Sequence, residues 1–365
     1  MTLQVLYIVP PTKTYAGIER VVDEICSELA DKCQPALHID VLYTSQFPNH
    51  PIENRKYRKI QAVTRNRRSL VSTVRKTVRS KNYDLVVVPQ VEATVLFWLA
   101  CLGTRRKFVL YLHGNPNLEM RSIKARILFF LMSTIVLHRL AGVFGISPKQ
   151  LESFKAAFPS KKVPHCWVPN PVRKFDHATM QTAPGSETVT FVNVGRFSYQ
   201  KGQDILLSAF AKLHVLRDNV RLKVVGYGNE EVGLREAIKR LRLESVASIE
   251  HHPDNPQAAL SASDVYVSTS RWEGWSLAIC EALRFGLPVV ATDCEFGPSD
   301  ILTDQRLGRL VPVPDEDELV KAMLYYCDHL QAERSHSSYR KDFVDRYSAE
   351  KVVHTHAEAL ALAAG

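Results

Sequence analysis

Several common chemistries have no signature in this sequence of 365 residues. The seven cysteines contain no C-x-x-C pair and are odd in number, which argues against a disulfide framework and against a zinc ribbon. H-E-x-x-H, G-x-S-x-G and Walker motifs are missing too, so zinc-protease, nucleophile-elbow and P-loop chemistry are not indicated. The scattered cysteines predict reduced thiols in a cytosolic protein.

Long hydrophobic runs are also missing. The longest mostly apolar run, from Ile127 to Leu137, has eleven residues, fewer than the roughly 20 that a bilayer-spanning helix needs. The N-terminal segment has no basic start and too short an apolar run for a secretory signal, so we expect it to form a buried strand. With 45% hydrophobic and 23% charged residues, the chain can build two α/β domains of ordinary size.

Acidic residues are absent from one long segment. Between Arg55 and Lys81 there are eleven lysines or arginines and no aspartate or glutamate, in a chain of net charge +9. A solvated helix face would explain this, and so would docking on an anionic membrane. Leu70, Val74 and Val78 recur there at helical spacing, and this stripe faces either a membrane or the domain core. Nucleic acid is not expected as a partner, because no nucleic-acid-binding motif accompanies the charge.

Short apolar stretches alternate with helix-like stretches in two series along the chain. Such alternation predicts an α/β fold, with two Rossmann-like domains whose parallel sheets face each other across a cleft. The first series has strands at 5–10, 37–43, 85–89, 108–113 and 142–146, and helices at 18–31, 69–81, 95–102 and 121–140. The second has strands at 190–194, 221–225, 247–250, 264–268, 287–291 and 309–311, and helices at 203–213, 230–240, 256–262, 276–285 and 316–327.

A break between the two series divides the chain. Residues 1–170 are predicted to form the first domain, and residues 171–185, which are polar and rich in turn formers, a linker. Residues 186–345 are predicted to form the second domain. Residues 346–365 are predicted to contain a final helix that packs back onto the first domain.

The most informative segment joins the strand at 264–268 to the helix at 276–285. Gly274 permits a tight turn between them, and Ser276 stands where a helix cap is expected. The turn aims free backbone N–H groups at one spot, which favours an anion. Glu281 follows about one and a half turns down the helix, where a carboxylate can accept hydrogen bonds from a diol. Phosphate and diol together indicate a nucleotide; the alternative is a plain helix start with surface glutamates.

Two cations follow the first strand of the second series. Arg196 and Lys201 stand five positions apart in the loop after Val194, beside Gly195 and Gly202. Arginine offers a planar fork of donors and lysine a point charge, so both can address one diphosphate. Two ordinary surface cations near a turn are the alternative.

Other loops are weaker candidates. Gly17 follows the first strand, where a glycine lets a ligand approach the backbone closely. His113 ends a strand, where a histidine is either a catalyst or a structural hydrogen-bonding residue. Gly226 and Gly228 begin like a dinucleotide fingerprint that lacks its third glycine, so a tight turn is expected there and NAD is not. The acidic residues at 315–317 follow a proline-rich stretch and are expected to start a helix, with a metal site as the alternative.

With these motifs in this order, the chain resembles the GT-B glycosyltransferases of the large retaining family 4. The resemblance is strong over residues 189–313 and weaker before residue 164. The motifs that carry it are Gly195-Arg196, Lys201-Gly202 and the stretch from Glu273-Gly274 to Glu281-Ala282. The chain departs from the family pattern at Ala16-Gly17, at Trp275-Ser276 and at residues 294–300. The resemblance implies that the first domain binds the acceptor and the second a nucleotide sugar.

The resemblance also implies roles for individual residues. Glu281 would bind the ribose, and Arg196 and Lys201 the diphosphate. Glu273 would meet the donor sugar and His113 matches a histidine near it, so these two are the catalytic candidates. The donor site as a whole would comprise Gly17, Arg196, Lys201, Gly274, Trp275, Ser276, Leu277 and Glu281.

The implied activity is retaining transfer of a hexose from a nucleotide sugar, UDP-linked in preference to GDP-linked, by front-face displacement. The acceptor would be a glycan or a lipid-linked sugar in the synthesis of cell-surface polysaccharide, lipopolysaccharide or glycolipid. No metal or other cofactor is expected, and the enzyme would be cytoplasmic and peripheral to the membrane. Two alternatives stay open: a nucleotide-sugar epimerase or sugar phosphorylase on the same fold, and a non-catalytic nucleotide-sugar-binding partner of a membrane complex.

Overall fold

The computed structural model describes residues 2–12, 15, 17–33, 36–47, 55–115, 122–175, 187–251 and 255–365. The chain divides into two compact units, Met1–Pro171 with Tyr347–Gly365, and Val172–Arg346. Position 16, position 121 and most of the predicted linker at 171–185 lie outside the described residues. Among the helices in these ranges, none is both long and apolar enough to cross a bilayer.

The first unit contains a seven-stranded parallel sheet in the order β3-β2-β1-β4-β5-β6-β7. Its central strands are almost continuously apolar because helices cover both faces of such a sheet. The strands are β1 (Leu3–Val9), β2 (Leu37–Tyr43), β3 (Arg58–Gln61), β4 (Leu85–Pro89), β5 (Lys107–Leu112), β6 (Leu140–Gly145) and β7 (His165–Trp167). The helices are α1 (Gly17–Lys32), α2 (Arg67–Ser80), α3 (Val91–Ala100), α4 (Ile123–Leu131) and α5 (Pro148–Ala157).

The second unit contains a six-stranded parallel sheet in the order β10-β9-β8-β11-β12-β13. The strands are β8 (Val189–Val194), β9 (Val220–Val225), β10 (Ala247–Glu250), β11 (Val265–Ser268), β12 (Val289–Thr292) and β13 (Gly308–Val311). The helices are α6 (Gln203–Leu216), α7 (Glu231–Arg240), α8 (Gln257–Ser261), α9 (Leu277–Arg284), α10 (Pro298–Ile301), α11 (Glu316–Arg334) and α12 (Ser337–Asp345). A last helix, α13 (Ala349–Ala364), belongs to the first unit, where it packs against α1.

The predicted helix at 121–140 is wrong in its second half. The α-helix ends at Leu131 and is followed by a π-helical turn, Met132–Val136, and a 3₁₀ turn, Leu137–Arg139. The hydroxyls of Ser133 and Thr134 both donate to the carbonyl of Phe130, at 2.9 and 2.8 Å. These side chains compete with the backbone for that carbonyl, which accounts for the break in the regular ladder.

The apolar stripe of α2 faces the core of the first unit. Leu70, Val74 and Val78 are all buried, so of the two orientations considered for this stripe the core-facing one is confirmed. Asn66 caps the helix by accepting from the backbone N–H of Ser69 at 2.9 Å, within a capping box. The cations of α2 that are exposed are Arg67, Arg68, Lys76 and Arg79.

Candidate active site

Three loops meet at the carboxyl edge of the second sheet, the edge at which open parallel sheets bind ligands. Strands β8, β11 and β12 are neighbours in this sheet. The loop after β8 carries Arg196 and Lys201, the loop after β11 carries Glu273, and the loop after β12 carries Gly297. An added Cβ at Gly297 would lie 3.3 Å from the Cβ of Glu273, so these last two loops are in contact.

Lys201 and Glu273 form an ion pair across the first two loops. The Nζ atom of Lys201 lies 2.6 Å from Oε1 of Glu273, and the side chains are 19% and 6% exposed. The hydroxyl of Ser270 donates to the same oxygen at 2.7 Å. Both contacts use Oε1, which leaves Oε2 to accept a hydrogen bond from a ligand hydroxyl. The ammonium group keeps two further N–H donors for an anion.

Backbone contacts fix the position of Lys201. Gly202 has a φ of +63°, and an added Cβ would lie 2.1 Å from the carbonyl oxygen of Thr269. The hydroxyl of Thr269 donates to the carbonyl of Gly202 at 2.8 Å, and the side-chain amide of Gln200 donates to the carbonyl of Trp272 at 3.0 Å. A glycine is therefore required at 202, because any side chain would force apart the two loops that bring Lys201 to Glu273.

Arg196 is exposed, and its side chain forms no ion pair with any residue that the structure describes. Its carbonyl accepts a hydrogen bond from Gln203 at 3.0 Å, which holds the backbone but leaves the guanidinium free to reach an anion. Gly226 packs on the same loop, since an added Cβ there would meet the carbonyl oxygen of Gly195 at 1.9 Å. The glycines after β9 thus permit their own backbone to pack closely against the loop after β8.

The start of α9 offers backbone donors beside the ion pair. Ser276 occupies the N-cap position, but its side chain makes no capping hydrogen bond, contrary to the expectation that it caps this helix. The first turn of a helix leaves N–H groups without intrahelical partners and carries partial positive charge. Gly274, Trp275 and Ser276 are buried and Leu277 is partly exposed, so this turn lies within the wall of the site.

Glu281 is buried and held by an arginine that the sequence did not single out. Nε of Arg173 lies 3.0 Å from Oε1 of Glu281, and Nη2 donates to Oε2 at 3.3 Å. The guanidinium of Arg173 also lies over the ring of Phe175, 4.6 Å from its centroid, and this ring packs against Phe285 at 5.0 Å. Residues 172–175 are thereby attached to α9. Arg173 falls in the stretch predicted to be a linker, which is why it was missed.

Glu273 and Glu281 both affect the pKa of Tyr266. Burial raises the pKa of the Tyr266 hydroxyl, and the carboxylates of Glu273 and Glu281 raise it further. The hydroxyl donates to the carbonyl of Val194 at 3.1 Å. Two carboxylates, the loop of Lys201 and the start of α9 are thus gathered at one edge of the second sheet.

The other two predicted site residues belong to the first unit. His113 directly follows β5, and Gly17 is the first residue of α1. An added Cβ at Gly17 would meet no atom of the described residues within 4 Å, so their packing does not require a glycine there. The open space agrees with the interpretation that Gly17 lets a ligand approach, which stays a prediction.

His113 stands in a buried aromatic environment. Its ring packs on Tyr111 at 4.1 Å, and its buried Nε2 has no hydrogen-bond partner among the described residues. Burial, and to a smaller extent the neighbouring His356, lower the pKa of His113 to about 3. Burial also lowers the pKa of His356 to about 4, against the opposing effect of its hydrogen bond to the carbonyl of Pro169 at 3.0 Å. At neutral pH His113 is therefore a neutral hydrogen-bonding group and not a base that titrates near 7.

This histidine pair predicts a stability that falls on acidification. In the unfolded chain both residues bind protons below about pH 6.5, whereas in the folded unit their pKa values are about 3 and 4. Between these limits the unfolded state holds more protons, so the free energy of unfolding drops by up to about 1.4 kcal/mol per pH unit for each histidine.

Urea unfolding of wild type and His356→Gln at pH 7 and pH 5 measures this effect. The variant should lose less stability than wild type between the two pH values. His354→Gln, an exposed histidine on the same helix, is the matched control and should behave as wild type does. Equal losses in all three proteins would contradict the prediction.

The acidic residues at 315–317 start a helix, as expected. Asp315 is the N-cap of α11 and accepts from the N–H of Glu318 at 3.0 Å. Glu316 and Asp317 both pair with Lys212, at 3.1 and 2.8 Å. Within the described residues, no group of three or more His, Cys, Asp or Glu side chains is placed to hold a metal ion.

Comparison with solved structures defines the class of fold. The Anabaena HepE structure in complex with UDP and glucose matches with a TM-score of 0.80, over 98% of this chain and 99% of that chain, at 21% identity. The expected fold class, two Rossmann-like α/β domains with parallel sheets of the GT-B type, is confirmed.

Comparison of sequences agrees with that class. Residues 178–341 match the family model described as glycosyl transferases group 1. An uncharacterized glycosyltransferase of Methanocaldococcus jannaschii is 26% identical over 244 residues, which cover 62% of this chain and 60% of that protein. The poly(ribitol-phosphate) alpha-N-acetylglucosaminyltransferase of Staphylococcus aureus is 30% identical over 164 residues, 44% of this chain and 33% of that protein. The chain thus spans only part of the length of these relatives. The family model thus matches a stretch of the chain that falls within the second unit, apart from residues before 187 that lie outside the described ranges.

Proposed function

We propose that the protein transfers a hexose from a nucleotide sugar to an acceptor hydroxyl with retention of anomeric configuration. The observation that carries the proposal is the Lys201–Glu273 pair beside the uncapped start of α9. Such a site offers a cation and backbone N–H groups to a diphosphate, and a carboxylate oxygen to the attached sugar. The similar HepE structure holds UDP and glucose, which supports UDP over GDP in the donor.

The side chains at the carboxyl edge of the second sheet are assigned the following roles in the proposed reaction. The bond from the anomeric carbon to the diphosphate breaks, and a bond from that carbon to the acceptor oxygen forms on the same face. Lys201, Arg196 and the first turn of α9 stabilise the charge that develops on the departing diphosphate, which takes the proton from the acceptor. Glu281 accepts hydrogen bonds from the ribose diol. Glu273 already accepts two hydrogen bonds on Oε1, which suits positioning of the sugar better than nucleophilic attack.

The proposed acceptor is a lipid-linked sugar or glycan of a cell-surface polymer. The relative from Staphylococcus aureus is named for a poly(ribitol-phosphate) acceptor, which supports this class. A position at the cytoplasmic face of an anionic membrane is part of the proposal. The exposed cations of α2 support the membrane contact, and the seven free cysteines support a reducing compartment.

Ligand-dependent stabilisation tests the proposal directly. UDP, GDP and their hexose conjugates are screened for a rise in the thermal midpoint, because a ligand that binds only the folded state stabilises it. The stabilising sugar nucleotide is then incubated with enzyme and lipid-linked acceptors, and proton NMR of the anomeric signal assigns the product configuration. Inversion would refute retention, and a protein that no nucleotide stabilises would refute the donor site.

Activity is expected to be independent of divalent metal. Two cations and a helix N-terminus can supply the electrostatic stabilisation that a metal would give to the leaving diphosphate. Donor turnover is measured after dialysis against EDTA, with and without added Mg²⁺ or Mn²⁺. Loss of turnover that either ion restores would overturn the expectation and would direct attention back to the acidic residues at 315–317.

A further inference from the structure

Helix α4 in the first unit exposes an apolar stripe. Ile123, Ile127 and Phe130 are 78%, 56% and 65% exposed. At about 3.6 residues per turn they lie on one side of the helix. The opposite side is apolar as well and is buried, with Ala125 and Phe129 in the core. Large apolar side chains exposed side by side usually mark a surface that is covered in the working state, so the outer side of α4 is expected to be covered.

The charged residues of α4 itself are both positive. Lys124 and Arg126 are exposed and fall on the two sides of the stripe in the helical projection. No aspartate or glutamate occurs between Ser122 and Arg139. An apolar stripe flanked by cations is the pattern of a helix that lies in the interface of an anionic bilayer.

Helix α2 adds cations to the same region. Both α2 and α4 pack against α3, and a cavity of about 470 Å³ is lined by residues of all three helices. Arg67 from α2 and Lys124 from α4 both line this cavity, together with Glu92 from α3, so at least one cation of each of α2 and α4 belongs to one region of the surface. The apolar face of α2 points into the core, and its exposed cations are therefore available to lipid headgroups.

The cavity also reaches the ligand-binding edge of the first sheet. Pro10 follows β1 and Gln90 follows β4, and both line the cavity. Gln90 has φ 69° and ψ 149°, a backbone conformation that is essentially confined to glycine. Strained residues of this kind cluster at functional sites, which marks this end of the sheet as more than a structural surface.

We propose that the exposed face of α4 docks the protein on an anionic lipid bilayer. Ile123, Ile127 and Phe130 enter the interface between headgroups and acyl chains, while Lys124 and Arg126 contact the headgroups. The docked face brings a bilayer-borne acceptor to the carboxyl edge of the first sheet, so the inference rests on the proposed function. A bilayer fits this face better than a protein does, because stable protein interfaces bury about 800 Å² per partner, more than three side chains provide.

Co-sedimentation tests this surface with vesicles of equal parts phosphatidylcholine and phosphatidylglycerol. Wild type should bind these vesicles. Ile127→Gln/Phe130→Gln should bind them at least about tenfold more weakly, because two apolar side chains are no longer transferred from water into the bilayer. The matched control is Val215→Gln/Val232→Gln, which removes two side chains of 85% and 69% exposure from the second unit and should bind as wild type does. Lys124→Gln/Arg126→Gln should weaken binding at low salt and have little effect at high salt.

A second variant reports on insertion itself. Phe130→Trp keeps the side chain apolar, and its fluorescence should be quenched by vesicles with brominated acyl chains, whereas Val232→Trp should not be. All variants should hydrolyse donor in the absence of vesicles at the wild-type rate, since none of them touches the donor site.

Three results would overturn the docking surface: no vesicle binding by wild type, equal binding by the α4 variant, or a wild-type dimer that the α4 substitutions dissociate. Donor hydrolysis that persists in those cases would leave the proposed transferase standing. Vesicle binding without any donor turnover would instead support the docking surface and contradict the proposed transferase function.

Discussion

Replacement of Lys201 by alanine should lower kcat/KM for the donor by about 10²-fold or more, and Arg196→Ala should do the same. The diphosphate gains negative charge as the glycosidic bond breaks, so a contact with a cation is stronger in the transition state than in the ground state. Loss of one such charge-assisted contact corresponds to roughly 3 kcal/mol. Steady-state kinetics with the donor selected by thermal screening measures the loss.

The structure supplies a matched control for this prediction. Lys212→Ala removes a lysine of the same unit that pairs with Glu316 and Asp317 at the start of α11. It should leave kcat/KM within about twofold of wild type, as expected for a surface ion pair. Lys201→Ala also leaves Glu273 without its counter-ion, which could affect folding. Circular dichroism of Lys201→Ala and of Lys201→Ala/Glu273→Gln therefore compares how well the two variants fold. Near wild-type turnover in a folded Lys201 or Arg196 variant would refute their assignment to the diphosphate.

The second large effect is expected at Arg173. Arg173→Met removes the guanidinium that pairs with the carboxylate of Glu281, whose side chain is 4% exposed. Breaking a buried pair from one side destabilises a protein by about 3–5 kcal/mol. The KM for the donor should also rise about tenfold or more, because the carboxylate that is proposed to bind the ribose is no longer held in orientation. Urea unfolding and donor kinetics give the two quantities.

Two comparisons separate the role in binding from the role in folding. Arg173→Met/Glu281→Gln should recover most of the stability, because the buried carboxylate charge is removed together with the guanidinium, yet retain the high KM. Arg334→Met breaks a comparable pair in the same unit, with Asp264 at 2.8 Å, and should destabilise the protein while sparing the KM. If Arg173→Met and Arg334→Met affect the KM equally, Arg173 has no specific part in donor binding.

The sequence was sufficient to predict a strand or helix where the local pattern and the tertiary structure agree. Central strands such as β1 and β4 are almost continuously apolar because both of their faces are covered, and each was predicted. The edge strand β3, Arg58–Gln61, was missed because a strand with a neighbour on one side only carries polar residues and no apolar run. β7 at the opposite edge, His165–Trp167, was missed because it is only three residues long.

The candidate site was predictable to the extent that its residues stand next to glycines in loops after strands. Lys201 and Glu273 lie in such loops, and the structure brings them together. Arg173 was not predictable, because its partner Glu281 is more than a hundred positions away and nothing in the local sequence distinguishes it from a linker residue. The exposed stripe of α4 was hidden as well, since an apolar run does not reveal which of its sides is covered.

Helix α13 has a consequence for the order in which the protein can fold during synthesis. It buries Val353, His356 and Leu360 in the first unit, and the backbone of Pro169 accepts a hydrogen bond from His356. The ribosome makes all of Val172–Arg346 before this helix, so the first unit stays incomplete while the continuous second unit can already fold. Nascent chains that stall within the second unit would expose the apolar surface on α1 that α13 normally covers, and such chains are expected to depend on chaperones.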